Sequence, residues 1–311
     1  MNDSSMSSFS FELGDGNRMP GVGLGTFQAR GPEVVAAVAS ALKLGYRHVD
    51  TAESYGNEAE VGKGLQESGV DRTSVFITTK LWPGNPAWGM PTKTYEQTIE
   101  ACKKSVADLG VTSVDLYIIH APFGGKEGRL AQWKGLVECK KLGLVKSVGV
   151  SNWGLAHLQE IAAAGLPMPA ANQLELHPLS QKAELLAFMR QHNILPIAYS
   201  SLVLLSSWRK DYTSLGGTKT TDETQQWIAP VELIATRLDV SAARVLLRYS
   251  LQKGWPCLPK STKEERVREN LDLDSFALTD EDMATLDGLE CGANLAWDAP
   301  PGEHFDLTTV A

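Results

Sequence analysis

The stretch GYRHVDTAESYGNE, residues 45–58, decides the fold that this sequence predicts. Its first half has the character of a buried strand that ends at Asp50, and Gly56 and Asn57 then break it into a loop. Asp50 is therefore expected at the carboxyl end of a strand, with Tyr55 just beyond it. A tyrosine in that position is either a proton donor to a substrate or a packing residue whose hydroxyl has found a partner. This stretch alone leaves both interpretations open.

The same order of elements repeats along the chain: a short β-branched run, a turn and an amphipathic helix. We predict eight strands, at residues 22–25, 47–50, 75–80, 114–119, 146–151, 170–175, 195–199 and 256–259. Apolar residues at helical spacing predict helices at residues 32–44, 58–67, 94–109, 129–142, 155–164, 181–192, 241–252 and 263–270. Eight alternating units in roughly 250 residues predict a closed parallel (β/α)8 barrel, the TIM-barrel fold.

A doubly wound nucleotide-binding sheet is the competing α/β architecture. It requires a GxGxxG loop between a strand and a helix. Gly21, Gly23 and Gly25 form GVGLG, but the third glycine of that spacing is missing and these glycines fall in the first predicted strand. The sequence therefore favours the barrel.

Several segments lie outside the repeating units. Residues 9–13 and the run from residue 18 onward flank an Asp-Gly-Asn turn, which predicts a short β-hairpin that acts as a plug or lid. We expect residues 1–8 to be a disordered tail and residues 9–311 to form a single barrel domain. Irregular stretches at residues 81–91, 200–229 and 291–311 predict long loops at the carboxyl face, where active sites of this fold lie.

The composition excludes several classes of protein. The 311 residues are 43% hydrophobic and 21% charged, and the net charge of −8 offers no basic surface for nucleic acid or anionic membrane. The four cysteines lie far apart, without CxxC or histidine-rich spacing, so neither a zinc site nor a disulfide framework is predicted. Since the chain has no secretory n-region and no membrane-length apolar run, we expect a cytoplasmic protein without an obligate protein partner.

Ionisable residues lie at the carboxyl ends of three consecutive predicted strands: Asp50 with Tyr55, then Lys80, then His120. A closed barrel brings these ends together around one mouth. A phenol is a poor acid at neutral pH unless a cation stabilises the phenolate, which Lys80 can do while Asp50 keeps the buried ammonium charged. Tyr55 would then donate a proton, and His120 would orient and polarise a carbonyl oxygen.

At this point the chain resembles the aldo-keto reductases, a family of NAD(P)H-dependent barrel enzymes. The matching stretches run in the family's order from about residue 13 to residue 289: GVGLGTF, GYRHVDTAESYGNEAEVG, ITTKLW, DLYIIHAP, VKSVGVSN, ANQLELHP, IAYSSL and LPKSTKEERVREN. The resemblance implies that Asp50, Tyr55, Lys80 and His120 carry out reduction of aldehyde or ketone substrates, in a protein that works as a monomer. Oxidation of an alcohol or sugar, and a regulatory or structural cofactor-binding role with little turnover, stay open as alternatives.

The resemblance also assigns cofactor contacts by position. One group matches the residues that hold the nicotinamide: Ser151, Asn152, Gln173 and Tyr199. Another matches the segment that binds the pyrophosphate: Ser200 and Leu202. A third matches the residues around the adenosine: Lys260, Ser261, Thr262, Arg266, Glu269 and Asn270. Thr26 and Asp50 complete the predicted cofactor site.

The adenosine group favours NADPH over NADH. Lys260, Ser261 and Arg266 supply two cations and a hydroxyl near a helix start, which suits the 2′-phosphate and would be superfluous for a ribose hydroxyl. Lys263 and Arg268 are better explained as a solvated basic face.

Departures from the family's pattern concern the substrate pocket. Phe27 and Ala121 stand where many relatives carry tryptophan. Two smaller side chains predict a wider pocket, unless other aromatic residues fill it. The substrate contacts predicted on this basis are Phe27, Tyr55, Trp82, Trp88, His120, Ala121 and Trp297.

Overall fold

A computed structural model describes residues 9–205, 221–292 and 294–296. The predicted tail at residues 1–8 and the predicted substrate contact Trp297 lie outside the described residues. Among the described residues, the strands are β1 Ser10–Glu12, β2 Arg18–Pro20, β3 Leu24–Gly25, β4 His48–Asp50, β5 Phe76–Leu81, β6 Val114–Ile119, β7 Val145–Ser151, β8 Ala171–Glu175 and β9 Leu195–Tyr199.

The main sheet confirms the predicted parallel architecture. Its seven strands follow one another in chain order, from β3 to β9, with every neighbouring pair parallel. Because the order never reverses, the sheet has no switch point of the doubly wound kind. The carboxyl ends of the strands therefore meet at one mouth.

The eighth predicted strand, at residues 256–259, is interrupted rather than continuous. Cys257 forms parallel bridges both with Val22, just before β3, and with Ala198 in β9. The Cys257 amide donates to Gly21 O at 2.8 Å, and the Ala198 amide donates to Pro256 O at 2.7 Å. Proline has no N–H to donate, so the two prolines of this segment prevent a full ladder. The segment still joins the first strand to the last and closes the barrel.

The glycines of GVGLG allow this close approach. A Cβ at Gly25 would lie 2.9 Å from the backbone oxygen of Leu258, and one at Gly23 would lie 2.5 Å from the ring of His48. Their role in the fold is to let the first strand pack tightly against its neighbours.

The hairpin closes the opposite end of the barrel. Strands β1 and β2 pair antiparallel, with Phe11 opposite Met19. Leu13 and Met19 are buried in one apolar cluster with Phe76 and Ala171, the first residues of β5 and β8. The hairpin is thus a plug at the amino-terminal end, away from the mouth.

The helices pack around the sheet. Among the described residues they are α1 Gly31–Lys43, α2 Glu58–Ser68, α3 Tyr95–Asp108, α4 Gly125–Lys141, α5 Leu155–Ala163, α6 Ala183–Gln191, α7 Thr221–Leu238, α8 Ala242–Gln252, α9 Glu264–Leu271 and α10 Asp280–Asp287. None of the helices in the described ranges combines the length and the apolar character needed to cross a membrane.

Three helices differ from the sequence prediction. The stretch 200–229 was predicted to be irregular, yet α7 begins at residue 221; Pro230 within this helix is normally a helix breaker and hides the pattern. Helix α10 was not predicted, because it follows the last of the eight predicted strand–helix units. Helix α4 begins at Gly125 rather than at 129, because Gly124 and Gly125 resemble a turn in sequence while serving as the helix start.

Candidate active site

The mouth is built around a buried ion pair between adjacent strands. Lys80 and Asp50 lie at the carboxyl ends of β5 and β4, and their side chains are almost completely buried. Lys80 Nζ lies 2.5 Å from Asp50 Oδ1 and donates a second hydrogen bond to Thr51 O at 2.8 Å. A buried pair of charges needs such additional partners to offset its loss of hydration. The predicted coupling of these two residues is present.

Tyr55 and His120 complete the predicted group of four. Tyr55 ends a 3-10 turn, Glu53–Tyr55, which Gly56 terminates in a left-handed conformation. Its hydroxyl lies 3.5 Å from Lys80 Nζ. The ring of His120 meets the Tyr55 ring edge-on at 5.6 Å between centroids. All four side chains therefore converge on one point of the mouth.

Burial dominates the protonation of these groups. It lowers the pKa of His120 well below its usual range, and the nearby Lys80 charge adds to this effect. Burial also raises the pKa of Tyr55, although the Lys80 charge opposes that shift. Burial alone would lower the pKa of Lys80, but Asp50 and Tyr55 outweigh it and raise that pKa. At neutral pH the arrangement therefore holds a neutral imidazole, a protonated phenol and a charged ammonium.

The Lys80 charge lowers the pKa of Tyr55, in the direction expected from the sequence. Burial raises that pKa by more, so the net shift is upward. The Lys80 charge favours the phenolate, whereas the low-dielectric surroundings and the Asp50 charge favour the phenol. The sequence gives no measure of burial, so the net direction could not be predicted from it.

Asn57 is a site residue that the sequence analysis missed. Its amide nitrogen donates to Thr26 O at 3.0 Å and to Ala29 O at 2.9 Å, while its oxygen accepts from the Thr51 hydroxyl at 2.6 Å. The side chain is almost fully buried. Asn57 therefore ties the loop that carries Thr26 to the loop that carries Tyr55. The sequence identifies it only as a residue of the loop that follows the strand.

The predicted nicotinamide group is gathered beside the ion pair. Gln173 Nε2 donates to Asp50 Oδ2 at 2.8 Å, and Ser151 Oγ donates to Gln173 O at 2.8 Å. The Tyr199 hydroxyl donates to Asn152 Oδ1 at 2.7 Å. Four predicted cofactor residues are thereby linked to the Lys80 partner.

Asn152 also connects this group to His120. Its Nδ2 donates to His120 O at 3.0 Å, and its backbone has a φ of 62°. Asparagine tolerates this left-handed conformation better than most residues. The backbone carrying His120 is therefore fixed by the same network.

The residues predicted for the pyrophosphate lie just after β9. Ser200 adopts a φ of 56°, and Leu202 is half-buried. Between them, the buried hydroxyl of Ser201 has no hydrogen-bond partner among the described residues. A buried polar group without a partner fits a site that a polar ligand completes.

The residues predicted for the adenosine lie around the start of α9. Lys260 lies beside Gly25 through a parallel bridge, and Arg266 is on the helix; both are exposed, and neither forms an ion pair within the described ranges. Arg268 is instead paired with Glu264 at 3.2 Å. The structure does not bring Lys260 and Arg266 into contact with each other, but it leaves both charges available to an anion.

The remaining adenosine residues differ in exposure. Ser261 and Asn270 are buried, whereas Thr262 and Glu269 are half-buried. Ser261 Oγ accepts the backbone amide of Lys263 at 3.1 Å, which fixes the turn into α9.

Aromatic side chains form one wall of the mouth. Trp82 stacks on Trp88 at 5.9 Å and meets the His120 ring at 5.7 Å, and Phe123 packs against Trp82 at 5.8 Å and Trp88 at 5.5 Å. Phe27, 47% exposed, lies on the Tyr55 ring at 5.1 Å. These aromatic side chains therefore surround His120 and Tyr55 on one side of the mouth.

Two details correct the predicted wall. Ala121 is completely buried and contributes no exposed surface. Phe123 was not predicted, although its position immediately after Pro122 at the end of β6 places it at the mouth.

The loop that carries Trp82 is anchored to the Tyr55 turn. Glu53 accepts the Trp82 amide at 2.8 Å and the Lys93 ammonium at 3.0 Å. The aromatic wall and the phenol are thus held by one carboxylate.

Comparisons with known proteins identify the family. The sequence model of the Aldo/keto reductase family matches residues 21–290. The chain belongs to this family. Morphine 6-dehydrogenase of Pseudomonas putida is 38% identical over 301 residues, which cover 96% of this chain and 96% of that protein. Methylglyoxal reductase DkgA of Escherichia coli is 34% identical over 287 residues, which cover 92% of this chain and 95% of that protein.

A solved relative extends the comparison to the fold. The structure of a Bombyx mori aldo-keto reductase in complex with NADP has a TM-score of 0.79 and 30% sequence identity, covering 93% of this chain and 95% of that one. The predicted aldo-keto reductase barrel is therefore confirmed, and with it an oxidoreductase fold of a family that uses a nicotinamide cofactor.

Behind Lys80, a second buried carboxylate supports strand β5. Glu58 accepts hydrogen bonds from the Thr79 hydroxyl at 2.5 Å and the Ser105 hydroxyl at 3.2 Å. Burial raises the pKa of Glu58, although these two hydrogen bonds oppose the shift. The folded protein therefore favours the neutral carboxyl group.

This raised pKa predicts how stability depends on pH. A carboxyl group with a raised pKa in the folded state stabilises the fold below its unfolded pKa, and the contribution is lost as pH rises through the folded pKa. We expect Glu58→Gln, which cannot ionise, to gain free energy of unfolding relative to wild type as pH rises above about 4.3, the pKa of an unperturbed glutamate, by about 1.4 kcal/mol per unit of pKa shift. Urea denaturation at several pH values measures this gain. Glu60→Gln on the same helix is the control, and parallel pH profiles for wild type and Glu58→Gln would contradict the assignment.

Proposed function

We propose that this protein is an NADPH-dependent reductase of aldehydes or ketones, with Tyr55 as the general acid. The observation that carries the proposal is the Tyr55 hydroxyl, 3.5 Å from a buried ammonium that is itself paired with Asp50. A proton donor, a charge that stabilises its conjugate base and a neutral imidazole are the groups that carbonyl reduction requires.

In this proposal Tyr55 gives its proton to the carbonyl oxygen. The raised pKa keeps the phenol protonated at neutral pH. When the proton leaves, the phenolate forms beside the Lys80 charge, which Asp50 holds in place. The ammonium therefore stabilises the state in which the proton has been transferred more than the resting state, which is the requirement for catalysis.

His120 orients the substrate. Because burial keeps its pKa well below the usual range, the ring is neutral and can donate one N–H without competing for the proton of Tyr55. Its Nδ1 lies 3.1 Å from the Ser54 hydroxyl, which restrains the ring plane. A fixed N–H aimed at the mouth would polarise the same carbonyl oxygen that Tyr55 protonates.

The predicted cofactor residues fit the role assigned to them. NADPH, when bound, supplies a hydride from C4 of its nicotinamide. Ser151, Asn152 and Gln173 would hold the carboxamide, and Tyr199 would pack on the ring. Lys260 and Arg266, both exposed and without ion pairs in the described ranges, would bind the 2′-phosphate and make NADPH the preferred cofactor.

The aromatic wall limits the substrate. Trp82, Trp88 and Phe123 present flat apolar surfaces next to His120. Such a wall favours carbonyl compounds with an apolar or aromatic substituent over heavily hydroxylated sugars, whose polar groups would lose hydration there.

Alcohol oxidation is the second candidate, since one relative is named a dehydrogenase. The same residues serve in reverse, with Tyr55 accepting the proton. A regulatory or structural role gains no support from a mouth in which all four ionisable residues converge.

Removing the Tyr55 hydroxyl tests the proposed acid. We expect Tyr55→Phe to lower kcat by about 10²- to 10⁴-fold while NADPH binding is retained, since only the proton donor is lost. NADPH oxidation followed by absorbance, with fluorescence titration for binding, measures both. Tyr95→Phe on α3 is the matched control, and a Tyr55→Phe enzyme with near-normal kcat would rule out this role.

Removing the two exposed cations tests the cofactor preference. We expect Lys260→Ala with Arg266→Ala to weaken NADPH binding by about 100-fold or more, because each charge-assisted hydrogen bond contributes about 1.5 to 3 kcal/mol. NADH binding should change little. Titration of both cofactors measures the difference, with Lys263→Ala and Arg268→Ala as the matched pair. Equal weakening of NADPH and NADH would contradict a 2′-phosphate site.

A further inference from the structure

Glu175 is a buried carboxylate in the mouth that belongs neither to the group of four nor to the contacts of Glu58. Glu175 is the last residue of β8, is 1% exposed and stands opposite Tyr199 in the ladder. Side chains alternate along a strand, so Glu175 points to the same face as Gln173, whose amide reaches Asp50. At roughly 3.3 Å per residue, it lies about 7 Å further out than Gln173 along the strand.

Two residues distant in sequence and one nearby residue are the partners of this carboxylate. Glu175 Oε1 accepts the Leu295 amide at 2.5 Å, and Oε2 accepts the Ala296 amide at 2.9 Å. His177 Nε2 lies 2.9 Å from Oε1. Within the described ranges no lysine or arginine forms an ion pair with Glu175. The carboxylate is therefore bound by backbone N–H groups and one imidazole.

Hydrogen bonding overcomes the cost of burying this charge. Burial would raise the pKa of Glu175, but the hydrogen bonds from His177, Leu295 and Ala296 together lower it. Glu175 is consequently ionised at neutral pH, and an ionised acceptor makes stronger hydrogen bonds to N–H groups than a neutral one.

The neighbouring loop holds the same part of the chain. We name the described residues 288–292 and 294–296 the C-terminal segment. Lys182 Nζ donates to Asn294 Oδ1 at 2.6 Å, and the Cys291 amide donates to Leu179 O at 3.3 Å. The Leu295 side chain is buried in the main apolar cluster. The loop after β8 thus contacts the C-terminal segment at Cys291 and Asn294, and Glu175 binds it at Leu295 and Ala296.

Placing a carboxylate at this position costs free energy, because the buried charge loses its hydration. An apolar side chain would cover the end of β8 without losing hydration, and the buried Leu295 already supplies apolar contact. What a carboxylate adds is a charged acceptor for two successive backbone N–H groups, which an apolar side chain cannot provide: Oε1 accepts from Leu295, and the Ala296 amide is shared between Oε1 at 3.0 Å and Oε2 at 2.9 Å.

We propose that Glu175 is a positioning residue that fixes the backbone of Leu295 and Ala296 across the β8 side of the mouth and thereby sets the affinity for the carbonyl substrate. It acts through the C-terminal segment and does not touch the reacting atoms. The effect on substrate affinity rests on the proposed reductase function, whereas the anchoring of the segment does not.

The test combines one variant with two independent measurements. Glu175→Gln keeps the size of the side chain but replaces one acceptor oxygen with a donor that faces an N–H group. We expect amide hydrogen exchange at residues 295 and 296 to accelerate by about tenfold or more, since these protons lose a charged acceptor. We also expect KM for a bulky aromatic ketone to rise by about tenfold, with kcat within about twofold of wild type.

The controls separate anchoring from general damage. Glu184→Gln makes the same chemical change at an exposed position on α6 and should alter neither measurement. NADPH titration of Glu175→Gln should match wild type, which shows that Gln173 and Tyr199 remain in place. If Glu175→Gln fails to fold, Asn294→Ala releases the same segment at its Lys182 contact and should shift both measurements in the same direction.

Two results would overturn the proposal. Unchanged exchange at residues 295 and 296 would show that Glu175 does not anchor the segment. Faster exchange with an unchanged KM would show that the anchored segment does not set substrate affinity. If wild type reduces no carbonyl compound at all, the proposed function fails, and the exchange measurement alone still decides the anchoring.

Discussion

The site depends on the ion pair between Lys80 and Asp50. Two opposite charges buried side by side lose their hydration, and removing one partner from such a pair costs about 3 to 5 kcal/mol. The hydrogen-bonding groups of Lys80 and Asp50 that do not contact each other therefore need other partners. These come from separate elements: Thr51 O accepts from Lys80, and Gln173 donates to Asp50. β4 and β5 are neighbours in the sheet, but Gln173 can reach Asp50 only if β8 faces them across a closed barrel.

Closure is therefore a chemical requirement as well as an architectural one. The bridges of Cys257 to both Val22 and Ala198 complete the ring of strands despite the two prolines beside them. The GVGLG glycines permit the first strand to approach that segment closely. Without this closure, Gln173 would not face Asp50, and the link from the ion pair to the predicted nicotinamide residues would be lost.

Burial disfavours the charged form of each titratable group beside Asp50. It favours the phenol of Tyr55 and the neutral imidazole of His120, and it opposes the charge of Lys80. Only at Lys80 do the neighbours, Asp50 and Tyr55, outweigh burial and keep the charged form. The result is one fixed positive charge among neutral donors, which suits a reaction in which negative charge develops on oxygen.

Local sequence patterns predicted most of the barrel. Asp50, Lys80 and His120 were identified because each is an ionisable residue at the end of a predicted strand. Hydrophobic periodicity and turn residues, which mark the strand ends, are local properties of the sequence. Helix α7 was missed because Pro230 interrupts its pattern, and the eighth strand was overestimated because its prolines cannot complete a ladder.

What the sequence could not supply are contacts between distant residues. The sequence identified Asn57 only as a residue of the loop after the strand, and its hydrogen bonds to Thr26 O and Ala29 O form only when two loops meet. The bond between Glu175 and the Leu295 amide spans 120 positions. Burial, which decides the protonation of Tyr55, is likewise a property of the folded chain.

The measurement that tests the central claim most directly is turnover by the double variant Asp50→Asn with Lys80→Met. Replacing both members of a buried ion pair together leaves no uncompensated charge, so the barrel should fold with a free energy of unfolding close to that of wild type. Carbonyl reduction at saturating NADPH should nevertheless fall by at least about 100-fold, because nothing then stabilises the phenolate of Tyr55. Turnover close to wild type in a folded double variant would contradict the account, since the ion pair would then serve the fold alone.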